Sequence, residues 1–385
     1  MDRRQLIAGG VAAATAATLL PALSGTATAA SGRATTAAPS AQLPSRDDII
    51  SVLRRVADHW IGAHVNPGDN GWANATFFSG LLALFRLTND TAYLNYARNW
   101  AESHDYGLIG GTTTRHADNQ CAGQAYLDLY EIEPDDQKLD AIETSLHRMV
   151  YTDQPGKNDD WWWDDALHMA MPSFARIGAL RDDPQYWEKL YSLYSHTKHA
   201  EGGPGLYDSA SGLWYRDANF VRGGIVSPNG KPVFWSRGNG WVAGAHTKAL
   251  KALPAAERHV AEYRDTLRQL VTATAKVQRT DGFWNVNLGD AAHLPGPETS
   301  GTAFFVYGTA YAIGAGLVDS ATLLPVAARG WNGLVATAVH PDGVLGYVQK
   351  VGDRPESSQP ITYDSTADFG VGGFLLAGSQ LAALA

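Results

Sequence analysis

The densest run of reactive side chains is Trp161-Trp162-Trp163-Asp164-Asp165-Ala166-Leu167-His168-Met169-Ala170-Met171-Pro172. Two adjacent carboxyls follow three indoles. Neighbours on a helix point about 100° apart, so Asp164 and Asp165 cannot share a helix face. Asp165, His168, Met169 and Pro172 can. A carboxyl at a helix start beside indoles is desolvated, and a second carboxyl adds its charge, so both effects raise its pKa. A carboxylic acid that stays protonated near neutral pH can serve as a general acid. The plainer alternative is a helix cap. We read the pair as split, one residue capping and the other doing chemistry. Pro172 lies inside the expected helix and should kink it.

Three further segments carry candidates. In Phe234-Trp235-Ser236-Arg237-Gly238-Asn239-Gly240-Trp241, an arginine stands between two tryptophans and beside glycines. A guanidinium held by ring stacking can grip a carboxylate through two parallel hydrogen bonds. The same residues also fit a structural turn with Arg237 stacked on a Trp. In Arg115-His116-Ala117-Asp118-Asn119-Gln120-Cys121-Ala122-Gly123, His116 and Asp118 could cap the following helix, a role that suits Asn119 better. Pro297-Glu298-Thr299-Ser300-Gly301 precedes an apolar helix, so a cap at Thr299 or Ser300 would leave Glu298 facing a pocket. His246 and His293 are isolated, without metal-ligand spacing, and read as structural. No nucleophile elbow, P-loop or dinucleotide fingerprint is present.

Helices must position these residues. Apolar spacing predicts helices over Trp72–Leu87, 122–132, 166–180 and Trp241–Leu250. Asp90, Asp136 and Asp183 follow three of the apolar stretches at spacings of 46 and 47 residues, about one helical hairpin per unit. Asp, Asn and Pro at these points cap or start the next helix. Between hairpins lie Gly-rich turns bearing aromatics, such as Gly212-Leu213-Trp214-Tyr215. Six or seven such units bury their apolar faces either in an open solenoid or in a closed ring. A ring is favoured because it gathers the aromatic and charged loops around one pocket.

Composition narrows the partners. The formal net charge is −9 with no basic run, which argues against nucleic acid and anionic membranes. An anionic substrate would have to be met by local cations. The chain has 12 Trp and 16 Tyr; most fill core, and an excess often lines sugar sites. A single cysteine, Cys121, excludes an intrachain disulfide and a Cys-rich metal site. Arg3-Arg4, the Ala-rich stretch Leu6 to Leu23 and Ala27-Thr28-Ala29 read as a twin-arginine signal peptide over 1–29, which predicts a secreted protein. Residues 30–45 read as a flexible linker, and 46–385 as a single catalytic domain. No later run has the length and apolarity of a membrane helix.

From about residue 50 onward the chain resembles glycoside hydrolase family 105, the unsaturated uronyl and rhamnogalacturonyl hydrolases. The resemblance rests on Trp163-Asp164-Asp165-Ala166-Leu167-His168-Met169 with Pro172, on Trp235 to Trp241, on Glu298-Thr299-Ser300-Gly301 and on Phe369-Gly370-Val371-Gly372-Gly373-Phe374. It implies an all-α (α/α)6 barrel, no metal or other cofactor, and a monomer or weak dimer. It also implies an oligosaccharide ending in a 4,5-unsaturated uronic acid as substrate. Protonation at C4 would give a cation at C5, water would add there, and the hemiketal would open with loss of the glycosidic bond. By the same resemblance Asp165, four residues before Met169, is the proton donor, and Asp118 is the second aspartate. Arg237, Trp235 and Trp241 look like the sugar-contacting set, with His168, Trp163 and Glu298 beside them.

Arg216 in Gly212-Leu213-Trp214-Tyr215-Arg216-Asp217 stands where many members have His. That variant points to unsaturated glucuronyl ends, from arabinogalactan or ulvan, rather than rhamnogalacturonyl ends. Arg216 would supply a cation for the uronate or pair with Asp217. Two other readings remain. A conventional inverting glycosidase needs two carboxyls about 6.5–9.5 Å apart, Asp165 with Glu298 or Asp118. A noncatalytic polysaccharide-binding protein needs no buried carboxyl.

Overall fold

The apolar periodicity resolves into helices in a computed structural model whose described residues are 38–385. They are α1 (Arg46–Ala63), α2 (Trp72–Thr88), α3 (Thr91–Ser103), α4 (Ala117–Gln120), α5 (Ala122–Ile132), α6 (Asp140–His147), α7 (Asp165–Arg181), α8 (Pro184–His199), α9 (Ser236–Ala252), α10 (Val260–Ala275), α11 (Thr299–Gly314), α12 (Ser320–Gly333) and α13 (Asp368–Leu381). A small antiparallel ribbon, β1 (Tyr207–Asp208) and β2 (Leu213–Trp214), sets Tyr207 opposite Trp214. The signal-peptide reading lies outside the described residues. So does the linker up to residue 37. In its last part, the carbonyls of Ser40 and Gln42 accept from Asn332 Nδ2.

Helices α2, α5, α7, α9, α11 and α13 are buried along most of their length, and each packs on the next in chain order. Helix α13 then packs on α2, which closes the ring. The amphipathic helices α1, α3, α6, α8, α10 and α12 lie outside it. The architecture is therefore the (α/α)6 barrel, and closure between α13 and α2 rules out the open solenoid. Glycine makes that seam possible. A Cβ at Gly372 would strike the backbone of Thr76, and one at Gly80 the backbone of Gly372.

The hairpin repeat is real, with one shift. Asp90 and Asp183 cap α3 and α8 through the backbone N–H of Ala92 and Gln185. In the middle unit the capping side chain is Asp135, not Asp136, and it accepts from Gln137 N. Helix α7 runs unbroken through Pro172. A proline cannot bond the carbonyl four residues back. Here that carbonyl, on His168, is taken by Gln124 Nε2 at 2.6 Å, and Lys248 Nζ holds the other end of the Gln124 amide at 2.8 Å.

The ring orients its inner helices alike. Trp72, Asp165, Ser236, Thr299 and Asp368 open their helices at one rim, where Trp72, Trp241, Arg237 and Phe369 meet. The opposite rim gathers carbonyl ends, and there Arg86, Arg176, Lys248 and Lys251 surround a cavity. Cations suit helix C-termini and anions suit N-termini. The rim carrying the candidate residues is thus the one whose helix dipoles favour a negatively charged ligand.

Candidate active site

Asp165 is the first residue of α7 and keeps 8% of its surface exposed. Its Oδ2 pairs with Arg216 Nε at 3.2 Å. Arg216 Nη1 donates to Asp217 Oδ2 at 2.8 Å, and Asp217 is steadied by the backbone and side-chain N–H groups of Asn219 at 2.9 Å. Arg216 Nη2 has no acceptor among the described residues. The guanidinium lies 5.4 Å from the ring centre of Trp162, which is 45% exposed. Arg216 itself is positioned by the turn after β2, where its carbonyl accepts from Asp164 N and its neighbour Asp217 bridges to Trp163. Both readings of Arg216 therefore meet in one side chain, which pairs with Asp217 and still points a donor outward.

Asp118 sits in the first turn of α4, half-buried beside Asp165. Burial, followed by the charge of Asp165, pushes its carboxyl up to about 7. The half-exposed His116 approaches it at 3.9 Å and rests on Trp163, with ring centres 4.9 Å apart. Neither His116 nor Asp118 caps the helix by its side chain. The raised value has a consequence for stability. The folded chain binds this proton more tightly than the unfolded chain, so the contribution is full below about pH 4 and is lost as pH rises toward about 7. Asp118→Asn removes that loss. Thermal melts should show its Tm advantage over wild type absent at low pH and growing up to about pH 7; a constant difference would contradict the burial.

Several expected contacts are placed elsewhere. Arg237 is not a free carboxylate clamp. It is 1% exposed and donates to the carbonyls of Gln349, Lys350 and Gly352, sandwiched between Trp235 at 4.4 Å and Phe369 at 4.8 Å. It anchors the 349–352 loop over the barrel rim, and burial pushes its guanidinium down to about 10. Trp235 joins the same anchor through Nε1 and Gln349 Oε1 at 2.7 Å. Trp241 is buried against Trp72, His168 and Phe304, inside the barrel.

His168 lies fully buried beside Trp241 and Phe304, and burial holds it well below the ordinary histidine range, so it is neutral. Glu298, not Thr299 or Ser300, is the cap of α11. Its carboxylate accepts from the N–H groups of Ser300 and Gly301 and the hydroxyl of Ser236, tying α11 to the start of α9. With both oxygens committed, Glu298 does not face a pocket, and the Asp165–Glu298 pair of an inverting glycosidase is gone. Trp163 is buried too, but its stacking on His116 and Trp162 shapes the site wall.

The helix-start reading also needs correction. Asp164 precedes α7, yet its side chain caps nothing. It is completely buried, with no donor to either oxygen among the described residues. Trp162, read from the sequence only as part of the triple-Trp run, and His116, read only as a possible helix cap, also border this site. Among the described residues no group of three His, Cys, Asp or Glu side chains stands together as a metal site, and no helix is long and apolar enough to cross a membrane.

A six-hairpin barrel with a recessed, Arg-paired carboxyl at its N-terminal rim fits a glycoside hydrolase, the class that the family match shows. The chain belongs to Glycosyl Hydrolase Family 88, whose model matches residues 50–385. It is 30% identical over 342 residues to an unsaturated 3S-rhamnoglycuronyl hydrolase of Formosa agariphila, covering 84% of this chain and 87% of that one. A solved structure from Bacteroides vulgatus, described as glycosyl hydrolase family 88, is 31% identical with a TM-score of 0.82, covering 89% of this chain and all of that one. Another, described as a polysaccharide lyase, is 34% identical with a TM-score of 0.81, covering 88% of this chain and 98% of that one.

Proposed function

We propose that the enzyme removes a 4,5-unsaturated uronic acid from the non-reducing end of lyase-generated oligosaccharides by hydrating the C4=C5 bond. The observation that carries this reading is the recessed Asp165 carboxyl on Arg216, with Arg216 Nη2 unpaired among the described residues and the half-exposed Trp162 beside it. The convergent helix N-termini and Arg216 attract the uronate, and Trp162 offers a flat face for the ring. Asp165 gives a proton to C4, and positive charge develops at C5 and the ring oxygen. Water bonds to C5 as a carboxylate takes its proton, with Asp165 or Asp118 in reach. The resulting hemiketal opens and expels the neighbouring sugar. One water is consumed and no metal is required by this balance.

Within that class we favour an unsaturated glucuronyl end of arabinogalactan or ulvan type. Support comes from Arg216 in place of His and from the Formosa relative, whose name specifies a rhamnoglycuronyl substrate. Unsaturated rhamnogalacturonyl ends are the competing substrate. Arg3-Arg4 and the Ala-rich stretch after them, read as a twin-arginine signal, support an exported enzyme that meets such fragments outside the cell. The test is the enol-acid absorbance of matched arabinogalactan, ulvan and rhamnogalacturonan lyase products. Absorbance should fall, fastest on a glucuronyl product. The lyase description of one similar structure motivates a control on intact polysaccharide, where a lyase would make absorbance rise. A rise there, or no fall on any fragment, would reject the reading.

A further inference from the structure

Asp164 is a buried carboxyl at this rim that has no part in the mechanism above and, unlike Asp217 and Glu298, no hydrogen-bond donor among the described residues. It is fully buried, and neither oxygen has a donor among the described residues. Its backbone N–H is spent on the Arg216 carbonyl. The start of α9 presses on it so closely that a Cβ at Gly238 would lie 2.6 Å from its Oδ2, which leaves no room for water on that side. The charged groups facing it are Asp165 on α7 and Arg216 and Asp217 on the turn after β2, while Asp118 on α4 acts on Asp165 and Arg216 rather than on Asp164. The single cation among them, Arg216, is committed to Asp165 and Asp217. A charged Asp164 would therefore be desolvated without any donor. A neutral Asp164 needs one acceptor for its O–H, and the carboxyl beside it is that of its chain neighbour Asp165, whose charge acts on it directly.

We propose that Asp164 is the proton store of this active site, a neutral carboxyl sealed beneath Asp165 that passes its hydrogen to Asp165 once substrate is bound. The proposal rests on Asp165 as proton donor. Burial, and then the charge of Asp165, holds Asp164 well above the ordinary carboxyl range, in line with the geometry. Two carboxyls in contact share one proton because both cannot ionise cheaply. When a uronate joins Arg216, the guanidinium is shared with a third carboxylate and its hold on Asp165 weakens. The hydrogen then moves from the Asp164 O–H to Asp165, and from Asp165 to C4. Water closes the cycle: its oxygen bonds to C5, and its proton returns through Asp165 to Asp164. Asp164 never touches substrate and is a positioning residue that acts through Asp165.

The experiment is Asp164→Asn, which keeps shape and a donor but has no proton to pass. The pair's upper titration should vanish, so the alkaline limb of kcat/KM moves down by roughly one pH unit or more, a loss of roughly tenfold at neutral pH. Activity should recover toward wild type as pH falls, with KM little changed. A purely structural role would lower the rate equally at every pH. Infrared spectra supply a second readout that needs no substrate. Wild type above about pH 8, where Asp118 has ionised, should show a protonated-carboxyl stretch that is missing in the variant. If the variant does not fold, persistence of that band in wild type titrated past the Asp118 transition at about 7 decides the matter. An unshifted pH profile in a folded variant, or no such band in wild type, overturns the proposal. A band without activity on any unsaturated fragment would instead sink the substrate reading and leave the protonated Asp164 standing.

Discussion

Asp165→Asn should fold with wild-type stability and lose activity on unsaturated uronides by about 10²–10⁴-fold in kcat, the range that a positioned acid supplies. The amide is the same size as the carboxyl, and its oxygen can still accept from Arg216 Nε, as Asp165 Oδ2 does at 3.2 Å. The Arg216–Asp217 pair and its support by Asn219 do not involve Asp165. Substrate binding should therefore survive, and KM should change little beside kcat. A transition-state-only loss of this kind is the signature of a group that acts on the reacting bond. A variant that instead kept kcat and lost affinity would identify Asp165 as a binding residue and move the proton-donor role to another group.

Arg216→Gln should have the next largest effect, seen mainly in KM and kcat/KM. It removes the cation that faces three carboxyls, Asp164, Asp165 and Asp217, and the outward Nη2 donor. Truncating one partner of a buried, hydrogen-bonded charge pair typically costs 2–5 kcal/mol, about 30-fold to several thousand-fold in kcat/KM. The defect should shrink on a substrate whose uronate is methyl-esterified, because the lost contact is to a carboxylate. An equal defect on acid and ester would mean that Arg216 serves only to hold Asp165 and Asp217 in place.

How much of this was legible in the sequence depends on the kind of evidence each element carries. The inner helices α2, α5 and α7 announced themselves because a helix buried on all sides leaves long apolar runs between Asp and Asn caps. Ring closure was readable only as a preference, since it turns on glycines such as Gly80 and Gly372 meeting across distant parts of the chain. Helix α9 was read as starting at Trp241 but begins at Ser236. Gly238 and Gly240 carry a low helix propensity that tertiary packing overrides, one against Asp164 and the other against Phe304 and Gly301.

The site divided in a similar way. Residue type and motif brought out Asp165, Asp118 and Arg216, which the fold does gather at one rim. They could not tell a side chain that faces a ligand from one that faces a loop. Arg237 has the chemistry of an anion clamp, and the carbonyls of residues 349–352, more than a hundred positions away, consume it. Glu298 likewise looks like a site carboxylate until its own helix takes both oxygens. Asp164 and Asp165 could be told apart as to helix face, yet not as to burial, and burial is what makes them different acids.

The most direct test of the hydration chemistry is to follow one lyase product through the reaction in heavy water by mass spectrometry and NMR, with absorbance recorded alongside. The enol-acid absorbance should vanish as the neighbouring sugar is released, and the uronate product should carry one solvent deuterium at C4. Release of a uronate that still holds its C4=C5 bond, with no deuterium at that carbon, would contradict the account and return the enzyme to ordinary glycoside hydrolysis.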